Sequence, residues 1–400
     1  MDSIYLAWRY LRVNWARTFI LVVCTTLIGG LPLATNQLLN DSERQLLLRA
    51  RSTPLLLGRL GSDLDLVIGS LYFRAQPRQP IRQADVAAVN NSGMAKAIPL
   101  LLGHRAQGVQ VIGTNLDYFP FRNLKAARGS LFTLLGECVL GADVATNLGL
   151  KPGDRLTTSP QALFNLAASY PIRLRVAGVL HRSDSPDDEV IFTDVKTTWV
   201  MSGLGHGHQD LSSSTPNDLV LARGDTLITA NAKLAEVPEI TAENLASFHF
   251  HGEENQYPVS AVIAVPLSQR HGDLLRGRYE GDEAARLLAI RPEQSVQDLL
   301  LSSFRLRRVF NLVLFVVASA ALLSLLLVYA LSLRLRHREF LTCARMGARR
   351  GVIVRMVAAE IAIVCLFSAG LSLALQAGLM GVRPLVSQVL LSRDGERWEE

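Results

Sequence analysis

Two short motifs hold the densest metal-ligating chemistry in the chain. His206 and His208 lie in GLGHGHQD with Asp210, and His249 and His251 lie in FHFHGEE with Glu253 and Glu254. Together they are half of the eight histidines. Alternate residues of a strand point to the same side, so each His-x-His offers two imidazoles to zinc, and two meeting segments offer four. The same residues equally suit two exposed polar loops, and Gly207 argues for a flexible first motif. Catalytic signatures are otherwise missing. No Gly-x-Ser-x-Gly elbow or His-Glu-x-x-His helix occurs, and none of the five lysines follows a glycine as a phosphate-binding P-loop requires. Gly203-Leu204-Gly205 is a glycine pair without the rest of a dinucleotide fingerprint. The expectation is a chain that is not an enzyme and carries no cofactor of its own unless zinc binds.

The elements around these motifs are set by hydrophobicity. Of 400 residues 49% are hydrophobic and only 19% charged, with a mean hydropathy of +0.23; soluble domains carry about 25% charged residues. Three runs hold no charge: Thr18–Asn40, Val309–Leu333 and Ile361–Val382, of 23, 25 and 22 residues. A helix of about 20 apolar residues crosses a bilayer, which predicts spans over 18–40, 309–333 and 356–382. A cleaved signal peptide is a poor account of the first run, which is too long and is followed by two more.

Arginines then give orientation. Arg9, Arg12 and Arg17 against Asp2 precede the first span, and seven arginines against Glu339 separate the second from the third. These segments carry +8 of a net +6, leaving −2 elsewhere. The positive-inside rule makes both cytoplasmic and places 41–304 outside, against the opposing pull of Arg305, Arg307 and Arg308. The basic balance thus reports topology, and no nucleic-acid partner is implied. Cys138 is the lone cysteine of the external region, so no intrachain disulfide is expected there.

Within 1–17, Ile4, Trp8, Leu11 and Trp15 recur at helical spacing and predict an amphipathic helix in the membrane interface. Residues 41–51 and 293–308 mix leucines with charges, contain no glycine or proline, and read as stalk helices continuing the first and second spans. Leu46, Leu47, Leu299 and Leu300 are candidates to pack one extension on the other. Between them, β-rich pieces at 109–113, 172–180, 189–194, 217–223 and 258–266 alternate with helical pieces at 84–90 and 228–237. The expected fold class is a membrane protein with an α-helical transmembrane part of three spans and a large extracytoplasmic α+β domain on a helical stalk.

Two stretches carry a resemblance. Residues 141–156 read GADVATNLGLKPGDRL, followed at 175–201 by RVAGVLHRSDSPDDEVIFTDVKTTWVM; the loop 334–360 reads RLRHREFLTCARMGARRGVIVRMVAAE. This resembles the MacB/FtsX-like permeases, membrane subunits of mechanotransmitting (type VII) ABC transporters. The resemblance implies that 334–355 is a cytoplasmic coupling segment docking on a separate ATPase subunit, which holds ATP and Mg. The matching positions are Arg338, Glu339, Phe340, Arg345, Met346, Gly347, Ala348, Arg349 and Arg350. From the residues alone the segment is a short basic amphipathic helix, which equally suits an anionic lipid surface.

Glu360, in the third span, lies five residues past Arg355 and is expected to reach the interface or pair with an arginine. Further partners implied are a second membrane subunit, identical or paired, and a periplasmic or lipoprotein partner in a bacterial inner membrane. The work implied is efflux, extraction or release of a periplasmic cargo. Alternatives are activation of a periplasmic partner such as a cell-wall hydrolase, or metal handling through the histidines. The family usually has four spans, so the tail 383–400 is expected to be periplasmic and a helix to come from another subunit.

Overall fold

The computed structural model describes residues 2–74, 79–159, 171–207, 220–223, 228–230, 239–280 and 287–392. They form two compact units, Met1–Gln45 with Leu300–Glu400, and Leu46–Leu299. In chain order, helices α1 (Asp2–Val13) and α2 (Trp15–Arg51) precede β1 (Leu55–Arg59), α3 (Asp63–Tyr72), β2 (Ile81–Arg82) and α4 (Gln83–Asn91). Next come β3 (Ala95–Ala106), β4 (Val109–Thr114), α5 (Tyr118–Phe121), β5 (Ala126–Gly129), β6 (Glu137–Leu140) and α6 (Ala142–Leu148). After β7 (Arg155–Thr157) and β8 (Arg173–Leu180), a 3-10 turn (Pro186–Glu189) leads to β9 (Ile191–Asp194) and α7 (Val195–Met201). The strands β10 (Gly205–Gly207), β11 (Val220–Arg223), β12 (Ile228–Ala230), β13 (Phe248–Phe250), β14 (Pro258–Val259) and β15 (Ala261–Pro266) follow. Last are α8 (Gln269–Glu280), β16 (Leu287–Ile290), α9 (Pro292–Leu335), α10 (His337–Arg345) and α11 (Arg350–Ser392).

The Leu46–Leu299 unit is α+β. Its sheet runs β16-β1-β15-β3-β4-β9-β6-β8-β5, with β7 added on β8. Neighbours are antiparallel except β4 with β9 and β6 with β8. Leu55, Leu56 and Leu57 of β1 and residues 261–264 of β15 are all buried. Burial on both faces is why these strands read as unbroken apolar runs rather than alternating ones. Trp199 and Tyr257 pack with β1 and β15 in one core, and Cys138, Val176 and Ile191 anchor a second. The four cysteines are free.

One expectation is corrected here. The helix expected over 228–237 begins instead as strand β12, Ile228 pairing with Arg223 of β11. Ile228 and Thr229 are β-branched and favour extended backbone; residues 231–237 lie outside the described part.

In the other unit, among the described residues, three helices are long and apolar enough to cross a membrane: Trp15–Arg51, Arg308–Leu335 and Gly351–Gly378. Helices α2 and α11 meet along small and polar residues. Ser368 Oγ donates to the Val22 carbonyl at 3.2 Å, and a side chain on Gly30 would come within 2.8 Å of Ser372 Oγ. Such close approach is how helices pack without a hydrophobic driving force between them. Ala320 and Ser324 of α9 are exposed instead.

The amphipathic helix expected over 1–17 stops at Val13, where Asn14 bonds back to the Tyr10 carbonyl at 3.2 Å. Ala7 and Leu11 are buried and Trp8 stacks on Phe367 of α11 at 6.0 Å, while Ile4 and Trp15 remain exposed. Packing on α11, not the full apolar stripe, chooses the inner face.

Candidate functional site

Three places carry the chemistry, and each is built by elements the sequence already separates. The first is the turn from α9 through α10 to α11. Arg338, Glu339, Arg345, Met346 and Arg349 are exposed there, while Phe340 is half-buried. Gly347 and Ala348 form the turn after α10, and Gly347 adopts φ +92°. Arg350 opens α11, its side chain lying outside the described part. Leu333, His337, Phe340, Ile353 and Val357 line an open groove of about 630 Å³.

Arg336, which the sequence reading counted only for its charge, is the hub of this turn. Its guanidinium is 5% exposed and bonds both Glu360 carboxylate oxygens, at 3.1 and 2.8 Å. It lies 3.5 Å from the Tyr10 ring centroid and also bonds Glu339 at 3.3 Å. One side chain thus ties α1, α10 and α11 to the end of α9. Glu360 is 2% exposed and pairs with Arg336, while Arg355 bonds the Gly351 carbonyl.

The second place lies within the Leu46–Leu299 unit, at the last turn of α2 and the first turn of α9. Arg49, near the end of α2, is buried and bonds Asp187 through Nη1 and Nη2 at 2.6 and 2.9 Å. It also bonds the Tyr118 hydroxyl at 3.1 Å and the Leu71 carbonyl. Tyr118 in turn donates to Asp187 at 2.6 Å. Arg122 adds bonds to Ser52 Oγ and Thr53 Oγ1, at 2.9 and 2.8 Å. Asp187 sits in the acidic turn of the SDSPDDE segment. On the other long helix, Glu293 near the start of α9 accepts from Arg51 Nε at 2.8 Å. The strands these helices adjoin, β1 and β16, are neighbours, with Leu56 opposite Ile290.

The third place is the histidine ribbon. β10 and β13 form a separate two-stranded sheet in which His206 faces His249 directly. The ladder continues as His251 N–H donates to the Leu204 carbonyl at 3.0 Å. His206, His249 and His251 therefore share one face, with ring centroids 4.6 to 4.8 Å apart. Phe248 and Phe250 take the other face and pack against the cores. His208, the fourth histidine expected, lies outside the described residues.

His104 in β3, which the sequence reading passed over, is buried at 2% exposure and within 3.0 Å of Ser202 Oγ. Burial pushes its pKa down to about 4. The folded state therefore keeps it neutral while the unfolded chain takes up a proton below about pH 6.5. The stability from this site is full above that pH and is lost progressively down to about pH 4, a cost of about 3 kcal/mol. Urea unfolding of the purified chain at pH 7.5 and 4.5 should show this loss, and His104→Gln should flatten it.

The family profile of the MacB-like periplasmic core domain matches residues 20–248. The periplasmic region of MacB from Actinobacillus actinomycetemcomitans is similar at 11% identity, over 64% of this chain and 97% of that one, with a TM-score of 0.36. The extracellular domain of the noncanonic ABC-type transporter YknZ from Gram-positive bacteria is similar at 12% identity, over 59% and 98%, with a TM-score of 0.34. No curated protein matches the chain.

Proposed function

The chain belongs to the MacB/FtsX-like permease family, and from that premise we propose that it passes motion from a partner ATPase to its periplasmic domain. Such chains are the membrane subunits of type VII ABC transporters, with ATP hydrolysis on a separate subunit. In our reading, α2, α9 and α11 span the inner membrane. The N-terminus and the α9–α11 turn lie in the cytoplasm, and the Leu46–Leu299 unit lies in the periplasm. ATP and Mg are then held by the partner, and this chain contributes the lever.

One observation carries this reading. Two of the long helices, α2 (with Pro32 inside it) and α9, each lead directly to one of two neighbouring strands, β1 or β16. A helix transmits displacement along its axis through its ladder of backbone hydrogen bonds, which in α2 lacks the rung that Pro32 cannot donate. The buried Arg49–Asp187 pair supports the same reading, since it fixes the end of α2 to the domain. At the cytoplasmic end, Met346 is 76% exposed and the groove beside Phe340 is apolar, the surface expected of a helix that seats on another protein. The exposed Ala320 and Ser324 on α9 suit a second membrane subunit, identical or paired.

The test is a photo-crosslinker at position 346 in the full-length chain in bacterial membranes. The expected product contains an ATP-binding cassette subunit, and Phe340→Glu or Arg345→Glu should reduce its yield about tenfold or more. Crosslinks only to lipid, with no ATPase recovered, overturn the coupling role. The cargo proposed is a periplasmic or lipoprotein-borne molecule moved or released by the domain.

A further inference from the structure

The histidine ribbon is more than two polar loops that happen to meet. We propose that His206, His249 and His251 form a binding site for one divalent transition-metal ion of the zinc class. The proposal stands on the ribbon itself and does not depend on the permease reading.

The argument starts from the backbone. In an antiparallel pair, directly opposed residues have their Cβ atoms about 4.5–5.5 Å apart, and His206 and His249 are such a pair. His251 is two residues beyond His249 and so points to the same side. Their ligating nitrogens all lie within 4.8 Å of one another. Zinc–nitrogen bonds of about 2.0–2.1 Å in a tetrahedron need nitrogens roughly 3.4 Å apart. Closing that difference falls to the side-chain torsions of the three histidines.

The ribbon is also fixed from behind. A side chain on Gly205 would come within 2.7 Å of the Phe250 ring, and one on Gly207 within 2.6 Å of the Phe248 ring. The glycines let those rings lie across β10, so Gly207 marks a covered position rather than a loose one. Phe250 meets Trp199 edge-on at 6.4 Å and packs near Tyr257, whose hydroxyl donates to the His251 carbonyl at 2.7 Å. His249 Nδ1 lies 3.4 Å from the Ser247 carbonyl. A carbonyl can only accept, so a hydrogen bond here comes from the Nδ1–H tautomer. A backbone carbonyl is a usual second partner of a metal-bound imidazole.

The donor set selects the metal. Three neutral imidazoles suit zinc, copper(II), nickel or cobalt, and disfavour calcium and magnesium, which take oxygen. Among the described residues the site offers three protein ligands, and His206 and His251 are exposed. Closed structural zinc sites use four protein ligands. The described residues supply three of them.

The test uses the full-length chain in detergent with its affinity tag removed, and zinc and cobalt(II) as probes. Titration calorimetry should give one zinc per chain, and cobalt(II) should develop visible d–d absorption. Each of His206→Ala, His249→Ala and His251→Ala should weaken zinc binding by more than the ~10–100-fold that losing an outer-shell partner costs, and the triple variant should abolish it. Unfolding curves in chelator show whether these variants fold. A wild-type measurement covers the case where they do not: zinc should shield these three imidazoles from diethyl pyrocarbonate while the exposed His181 reacts as before. Equal shielding of none, or unchanged affinity in the folded triple variant, overturns the site.

Discussion

Replacing Arg49 by leucine is expected to destabilise the external domain by about 3–5 kcal/mol, because it leaves Asp187 as an uncompensated buried carboxylate. Asp187 is 1% exposed, so water cannot replace the lost partner. Tyr118 and Ser185 still donate to it, at 2.6 and 2.9 Å, which keeps the loss from being larger. The double variant Arg49→Leu/Asp187→Leu should recover a substantial part of the loss, since two apolar groups leave no orphaned charge. Burial opposes ionisation of Asp187, and the Arg49 guanidinium overrides it, holding the carboxyl below the usual carboxylate range. A lowered folded pKa means that the pair stabilises above the unfolded value of about 3.9 and is lost as pH falls below it. Denaturant unfolding at pH 7 of the wild type, both single variants and the double variant checks the cycle. A loss in the double variant equal to the sum of the two single losses would show that the pair is not coupled. In the proposed mechanism the same variant keeps ATP hydrolysis in the partner but loses work on the cargo, because the lever is cut at its upper end.

Glu360→Ala is expected to lower the thermal midpoint of the detergent-purified chain and its yield in membranes, through a cost of similar size, about 3–5 kcal/mol. Arg336 would be left with Glu339 at 3.3 Å and the Tyr10 ring. The variant Arg336→Met/Glu360→Met should be milder than either single change. That ordering separates a structural tie from a proton relay. A relay predicts that any change at Glu360 stops transport while the fold stays intact, whereas a tie predicts rescue of the fold by the double change. Thermal unfolding read by size-exclusion chromatography distinguishes them.

What the sequence made legible follows a physical pattern. Long charge-free runs and β-branched strands are local signals, and the helices of α2, α9 and α11 and the strands from Val109, Arg173 and Ala261 can be read from them. The MacB-like domain was equally readable, because GADVATNLGLKPGD packs its turn and helix information into a few adjacent residues. Long-range pairings were not. Arg49 and Asp187 are 138 residues apart, and Arg336 and Glu360 are 24 apart across a turn. Charge counting sees these arginines only as tallies, since nothing local distinguishes a solvated arginine from a buried one. The histidines lie in between. Spacing marked both motifs, but only the β10–β13 register says that His206 opposes His249, and Gly207 pointed the wrong way until Phe248 covered it.

The adjacency of β1 and β16 has a mechanical side. Leu56 stands opposite Ile290, so the two strands are attached to their helices at the same end of an antiparallel ladder. Forces that drive both helices together load every rung at once and carry the whole sheet. Forces that spread the helices open the rungs one by one, the way a zip fails. The Arg51–Glu293 contact sits at that end, where opening would begin. An exposed pair of this kind adds at most about 1 kcal/mol, too little to hold the joint against a spreading load. The ladder between β1 and β16 is thus strong against a load its two strands share and weak against one that parts them.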